Sequence, residues 1–178
     1  MKKLLVLGLA VGMFLSMGMA KKPKDLPAEA AGSATPEASV LADVKEIDFK
    51  LADLNGKEVS LSSFKGKKTV MVVFSATWCG YCIKEIPELT ALAKAFKGKD
   101  FEILAVDIKE SQEKVAAFVN KNDINYTVLL DKDGKVSSSY AVLGIPTNLI
   151  IDKKGNIVYN ANGIPPKAEE YIKKIMKE

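Results

Sequence analysis

The chain has 178 residues, 48% of them apolar, enough to bury the core of one domain with a tail to spare. It has no His and only two Cys, which excludes every Cys–His and Ser–His–Asp arrangement, removes the commonest transition-metal ligand and rules out a multi-bridge disulfide scaffold. The formal charge of +4 is spread as Lys among Asp and Glu, without the basic, aromatic-flanked stripe that nucleic acid demands, so no nucleic-acid partner is expected.

Residues 1–20 read as an export leader. Lys2 and Lys3 form a short positive start, Leu4 to Leu15 is an uncharged apolar run, and Gly18 and Ala20 are the small residues a signal peptidase reads. The rival is an uncleaved membrane anchor, since the uncharged stretch lies at the lower edge of the roughly 17–25 residues that span a bilayer. Either reading places the remainder outside the cytoplasm. No Cys lies near the end of the leader, so a lipid-anchored Cys is excluded. Residues 21–45, with Pro23, Pro27, Pro36, many Ala and no aromatic side chain, read as a flexible tether that cannot bury enough apolar surface to order itself.

The folded domain is expected over 46–178. Phe49 and Leu51, the Asn55-Gly56 turn, and Val59 and Leu61 form a β-hairpin ahead of the main domain. Thr69 to Ser75 is a β-branched run suited to a central buried strand. A helix follows from about Gly80, with Ile86, Leu89, Ala93 and Phe96 on its apolar face and Gly98 closing it. Phe101 to Val106 is a second buried strand. Ser111 caps the next helix, whose apolar members are Val115, Phe118 and Val119. Val128 to Leu130 is a third strand, ended by the Asp133-Gly134 turn. Leu149 to Ile151 and Ile157 to Tyr159 form a hairpin across Lys153, Lys154 and Gly155. The last helix starts near Pro166 and buries Ile172, Ile175 and Met176. This order implies an α/β fold on a mixed sheet.

Cys79 and Cys82 stand two residues apart at the junction of a strand and a helix. Unpaired N–H groups and the helix dipole favour an anion there, which lowers the pKa of Cys79 and suits it to attack a disulfide. Cys82, one turn further in, is expected to be more shielded and to resolve the mixed disulfide. Two other readings compete. A structural bridge closing so small a loop stabilises by only about 2 kcal/mol and staples nothing distant. A zinc site lacks its further Cys or His ligands, while copper(I) on two thiolates stays conceivable. No metal and no cofactor beyond the Cys79–Cys82 disulfide are expected.

Trp78-Cys79-Gly80-Tyr81-Cys82 after a buried strand resembles the thioredoxin active site. With the leading hairpin, FSATWCGYCIKEIPEL, the added helix and strand near 111–130, and GIPTNLIID, residues 46–178 resemble the TlpA/ResA-like branch of the thioredoxin-like superfamily. The resemblance implies a thioredoxin-like fold: a mixed central sheet flanked by helices, with an N-terminal β-hairpin and an inserted helix–strand. It also implies thiol–disulfide oxidoreductase activity. It makes Pro146 the cis-proline opposite the site, where an ordinary trans turn is the alternative, and has Ile145 offer its backbone to an extended partner chain. Glu85, three residues after Cys82, matches the branch's acidic residue that handles the Cys82 proton; a plain surface ion pair is the alternative. Pro87 matches the proline inside the helix. Val73 stands where thioredoxin has a buried Asp, and Tyr81 where the commonest motif has Pro. Trp78 and Tyr81 are candidates for the docking surface, with packing against the sheet an equal alternative for Trp78.

The resemblance further implies an exported disulfide reductase acting on protein thiols and disulfides, including apocytochrome c before haem attachment. A membrane thiol–disulfide transporter would re-reduce it. A monomer is expected, since nothing in the sequence suggests an extended exposed apolar face. An oxidase, a peroxidase or a non-catalytic copper-binding dithiol protein are the alternatives. The peroxidase reading lacks the Pro that peroxiredoxins place ahead of their reactive Cys, because Ser75-Ala76-Thr77-Trp78 precedes Cys79.

Overall fold

In a computed structural model residues 47–178 are described; the expected leader and tether lie outside them. The centre is β3 (Thr69–Ser75), whose side chains are buried on both faces except at its last residue. Val70, Val72 and Phe74 point one way, Met71 and Val73 the other, as the two-residue strand period requires. β3 pairs in parallel with β4 (Phe101–Ile108) and antiparallel with β6 (Thr147–Ile151). β5 (Thr127–Asp131) runs parallel to β4, and β7 (Ile157–Ala161) antiparallel to β6.

The hairpin forms as expected, from β1 (Lys50–Asp53) and β2 (Glu58–Ser60) with Leu51 opposite Val59. Gly56 takes a φ of +79° in the turn, and the Asp53 carboxylate accepts the N–H groups of Asn55 and Lys57 at 2.8 and 2.9 Å. The hairpin also joins the main sheet, since β1 pairs with β5. The order is β2-β1-β5-β4-β3-β6-β7, seven strands in one mixed sheet. Leu61, read from its alternation as a strand residue, instead opens a 3-10 turn at Leu61–Phe64 and is buried against the core.

α1 (Gly80–Ala95), α2 (Gln112–Lys121) and α4 (Ala168–Ile175) pack on one face of the sheet, over Met71, Val73, Ile103, Ala105 and Ile150. Ser111 caps α2 as expected, its hydroxyl accepting the Lys114 N–H at 3.3 Å. Pro87 lies inside α1, where its missing N–H leaves one helical hydrogen bond unmade. α4 starts two residues later than its proline signalled: Lys167, at φ +54°, precedes it in the left-handed region, which a first helical turn at Pro166 cannot accommodate. The other face buries Phe49, Leu61, Val70, Val72, Phe74 and Leu149 beneath α3 (Lys135–Ser139), a short helix not foreseen from the sequence.

Candidate active site

The site sits where β3 ends and α1 begins. Cys79 is the residue before the first turn of α1, in extended conformation, and its sulfur accepts the Cys82 N–H at 3.2 Å. The sulfur thus does what a Ser or Asp does at a helix start. In the reduced protein the same N–H and the helix dipole would stabilise a thiolate at Cys79. Cys79 and Cys82 are bonded to each other, their Cα atoms 5.2 Å apart.

The two cysteines are equally buried, 6% and 7% exposed, so Cys82 is not the more shielded of the pair. The reason is the loop before β6. The Ile145–Pro146 bond is cis, Pro146 is buried, and the Ile145 carbonyl oxygen lies 3.7 Å from Cys79 Sγ, so this loop covers the first sulfur. The Thr147 hydroxyl holds the loop by donating to the Gly144 carbonyl at 2.7 Å. Trp78 and Tyr81 stand in solvent beside the pair, 69% and 74% exposed, with Lys84 Nζ 5.3 Å from the Tyr81 ring centre. At that exposure Trp78 is not packed against the sheet. Leu143, just ahead of the cis-proline loop, is fully exposed as well.

Glu85 lies half-buried on the inner side of α1. Asn148 Nδ2 donates to both its oxygens, at 3.1 and 3.3 Å, and the Ile164 N–H also donates to it. Its pKa is raised: burial outweighs these donors, and the nearby Glu88 charge adds to the rise. Asn148 is fully buried on β6 directly opposite Val73, so an amide stands beside the position where thioredoxin carries its buried acid.

Two carboxylates at the exit of β4 were not anticipated. Glu110 is buried and braces the active-site turn. It accepts the Thr77 N–H at 2.6 Å and the Thr77 hydroxyl at 2.8 Å, and it pairs with Lys114. Burial acts to raise its pKa, but Lys114 and the two Thr77 donors prevail and hold it below the usual value. Asp107, 5% exposed, is the opposite case. Burial first, then the Glu110 charge and a hydrogen bond shared with that carboxyl, push it up to about 7. Of this acid pair it is therefore Asp107 that titrates near neutrality, while Glu110 stays ionised. A polar residue inside an otherwise apolar strand was the available signal for Asp107 and Asn148.

The comparisons with known proteins point the same way. The AhpC/TSA family model matches residues 43–160. The chain belongs to the AhpC/TSA family. Within that family its curated relatives are enzymes of disulfide exchange. The thiol-disulfide oxidoreductase ResA of Bacillus cereus is 36% identical over 174 residues, 97% of this chain and 92% of the relative. That of Bacillus thuringiensis is 39% identical over 130 residues, 72% and 75% of the two chains. Among solved structures, the thioredoxin domain of a thiol-disulfide oxidoreductase from Bacteroides vulgatus superposes with a TM-score of 0.66 at 30% identity, covering 75% of this chain and 96% of that one. A thiol:disulfide interchange protein from Chlorobium tepidum gives 0.65 at 27% identity, covering 74% and 95%. The thioredoxin-like fold and the TlpA/ResA-like resemblance are thus borne out, and this family member is a thiol–disulfide oxidoreductase of the ResA type.

Proposed function

We propose that the protein is a disulfide reductase for exported proteins, with apocytochrome c among its substrates. The observation that carries the direction is the set of acidic groups around the dithiol. Glu85 stands on the inner side of α1 three residues past Cys82, and the Asp107–Glu110 pair stands at the exit of β4. Acidic groups beside the second sulfur disfavour a Cys82 thiolate, make the reduced pair less stable and so make it a better electron donor. Export rests on the leader read in residues 1–20, and re-reduction on a membrane thiol–disulfide transporter.

In this reading Cys79 attacks the partner disulfide and Cys82 releases the reduced partner. The partner chain lies extended along Ile145, with Trp78 and Tyr81 supplying apolar contact. Glu85 takes and returns a proton of Cys82 from the β6 side. The test is the reduction potential of the Cys79–Cys82 couple together with trapping in cells by Cys82→Ser. A potential well below about −180 mV and exported proteins held on Cys79 are expected; a value near the roughly −120 mV of strong oxidants would overturn the reductase reading.

A further inference from the structure

Under the first turn of α1 is a cavity of about 30 Å³, lined by Cys82, Val73, Ser75, Ala76, Asp107 and Tyr126 among others. That is room for one water, which needs at least about 10–15 Å³ and two or more polar partners. Asp107 supplies a partner: its Oδ1 is buried with no hydrogen-bond partner. Asp107 pairs in register with Ser75, so its side chain leaves the sheet on the same side as those of Ser75 and Val73, toward α1. An unpaired buried carboxyl oxygen is costly and calls for a reason.

We propose that Asp107 is a second acid–base group for Cys82, passing one proton to and from its sulfur through a single water in the cavity they share. It works from β4, on the opposite side of β3 from Asn148, which engages Glu85. In the resolving step Cys82 gives its proton to the ionised Asp107 carboxylate and its sulfur attacks Cys79 Sγ, breaking the bond between Cys79 and the partner. The Cys79–Cys82 bond forms, and the partner's sulfur leaves as a thiolate that takes a proton from solvent. The dithiol is oxidised by two electrons and the partner disulfide has been reduced by two. When the pair is re-reduced, Asp107 returns the proton to the Cys82 thiolate as it leaves. The step holds for either direction of exchange and does not rest on the reductase reading.

The groups that face Asp107 fit this role. Glu110, from the exit of its own strand, stays ionised through Lys114 on α2 and Thr77, and so leaves Asp107 as the member of the pair that titrates. Tyr126, from the approach to β5, is held protonated by burial first and then by the Glu85 charge. Asp107 itself, at about 7, can give or take a proton at neutral pH, where such groups are most effective.

The experiment measures the rate at which Cys82 resolves a mixed disulfide on Cys79 across the neutral pH range, in the native protein, in Asp107→Asn and in Glu85→Gln. Asp107→Asn keeps the shape and removes the titration. It is expected to slow resolution about tenfold or more near neutrality and to remove one inflection from the pH profile. An unchanged rate and profile in Asp107→Asn would overturn the proposal, whatever Glu85→Gln does. Should the Asn variant not fold, carbon-13 titration of Asp side chains in the native protein decides. Asp107 must shift its midpoint between the oxidised and reduced states, because coupling between two sites is reciprocal; identical midpoints refute it.

Discussion

The two ends of α1 rest on the same face of the same sheet and are built in opposite ways. At its C-terminal end the core is mostly apolar: Phe96 and Phe101 meet with ring centres 4.8 Å apart, and Leu92, Ile103 and Ile172 complete the packing beside the buried Thr69. At its N-terminal end the face is interrupted by Asn148, Asp107 and Ser75, with Glu85 above. Polar groups that cost stability are concentrated on this face near the first turn of α1, although the buried Thr69 and Thr90 hydroxyls lie away from it. The first end holds the helix down, and the second carries the titratable groups that the proposed mechanism assigns to the sulfurs.

The largest effect that separates them belongs to Cys79. Cys79→Ser is expected to abolish exchange on a model protein disulfide, by a factor of about a thousand or more, because the remaining thiol, Cys82, lies inside the helix and lacks the N-cap position that activates Cys79. Its urea midpoint should fall only by the small contribution of a four-residue bridge, about 2 kcal/mol. Phe96→Ala is the converse. It lies about 20 Å along the helix from Cys82 and should cost about 3–5 kcal/mol in denaturant unfolding. Exchange per folded molecule should match the native protein. A large loss of activity in folded Phe96→Ala would break the division between the two ends.

How far the sequence showed this division follows from particular residues. β3, the hairpin around Gly56 and the start of α1 were legible because apolar spacing, a turn dipeptide and the Cys pair each carry their own signal. Asp107 was missed because the strand was ended at Val106, where apolar residues give way. β4 runs on to Ile108 because β3 and β5 both hydrogen-bond to it there. Asn148 was missed for the mirror reason, its strand being started at Leu149, two residues too late. α3 gave no signal, since Lys135–Ser139 contains one apolar residue. Asp131 makes it a helix: the buried carboxylate accepts the N–H groups of Val136 and Ser137 at 3.2 and 2.8 Å. In each case tertiary contacts decided what local pattern left open.

A smaller effect sharpens the comparison through pH. The Asp107 carboxyl loses its proton near 3.8 when unfolded and at about 7 in the folded protein. Between those values the folded state holds more protons than the unfolded one, so its stability falls as pH rises, by a few kcal/mol at most, and levels off above about 7. Asp107→Asn removes that dependence. Its stability relative to the native protein should climb from acid to neutral pH and then stay flat, as thermal unfolding at several pH values would show. A parallel pair of curves would mean that Asp107 ionises in the native protein as easily as it does in water.

The smallest effect lies outside the core. Trp78 is 69% exposed at the rim of the site, so Trp78→Ala removes little buried surface and should leave stability within about 0.5 kcal/mol. Its cost should fall on the partner. Reduction of a folded protein disulfide, whose chain the proposed docking lays along Ile145, is expected to slow several-fold through a raised KM. Reduction of a small-molecule disulfide, too short to reach Trp78, should proceed at the native rate. Equal losses on both substrates would instead place Trp78 in the chemistry at Cys79, acting on the sulfur and not on the chain that carries the disulfide.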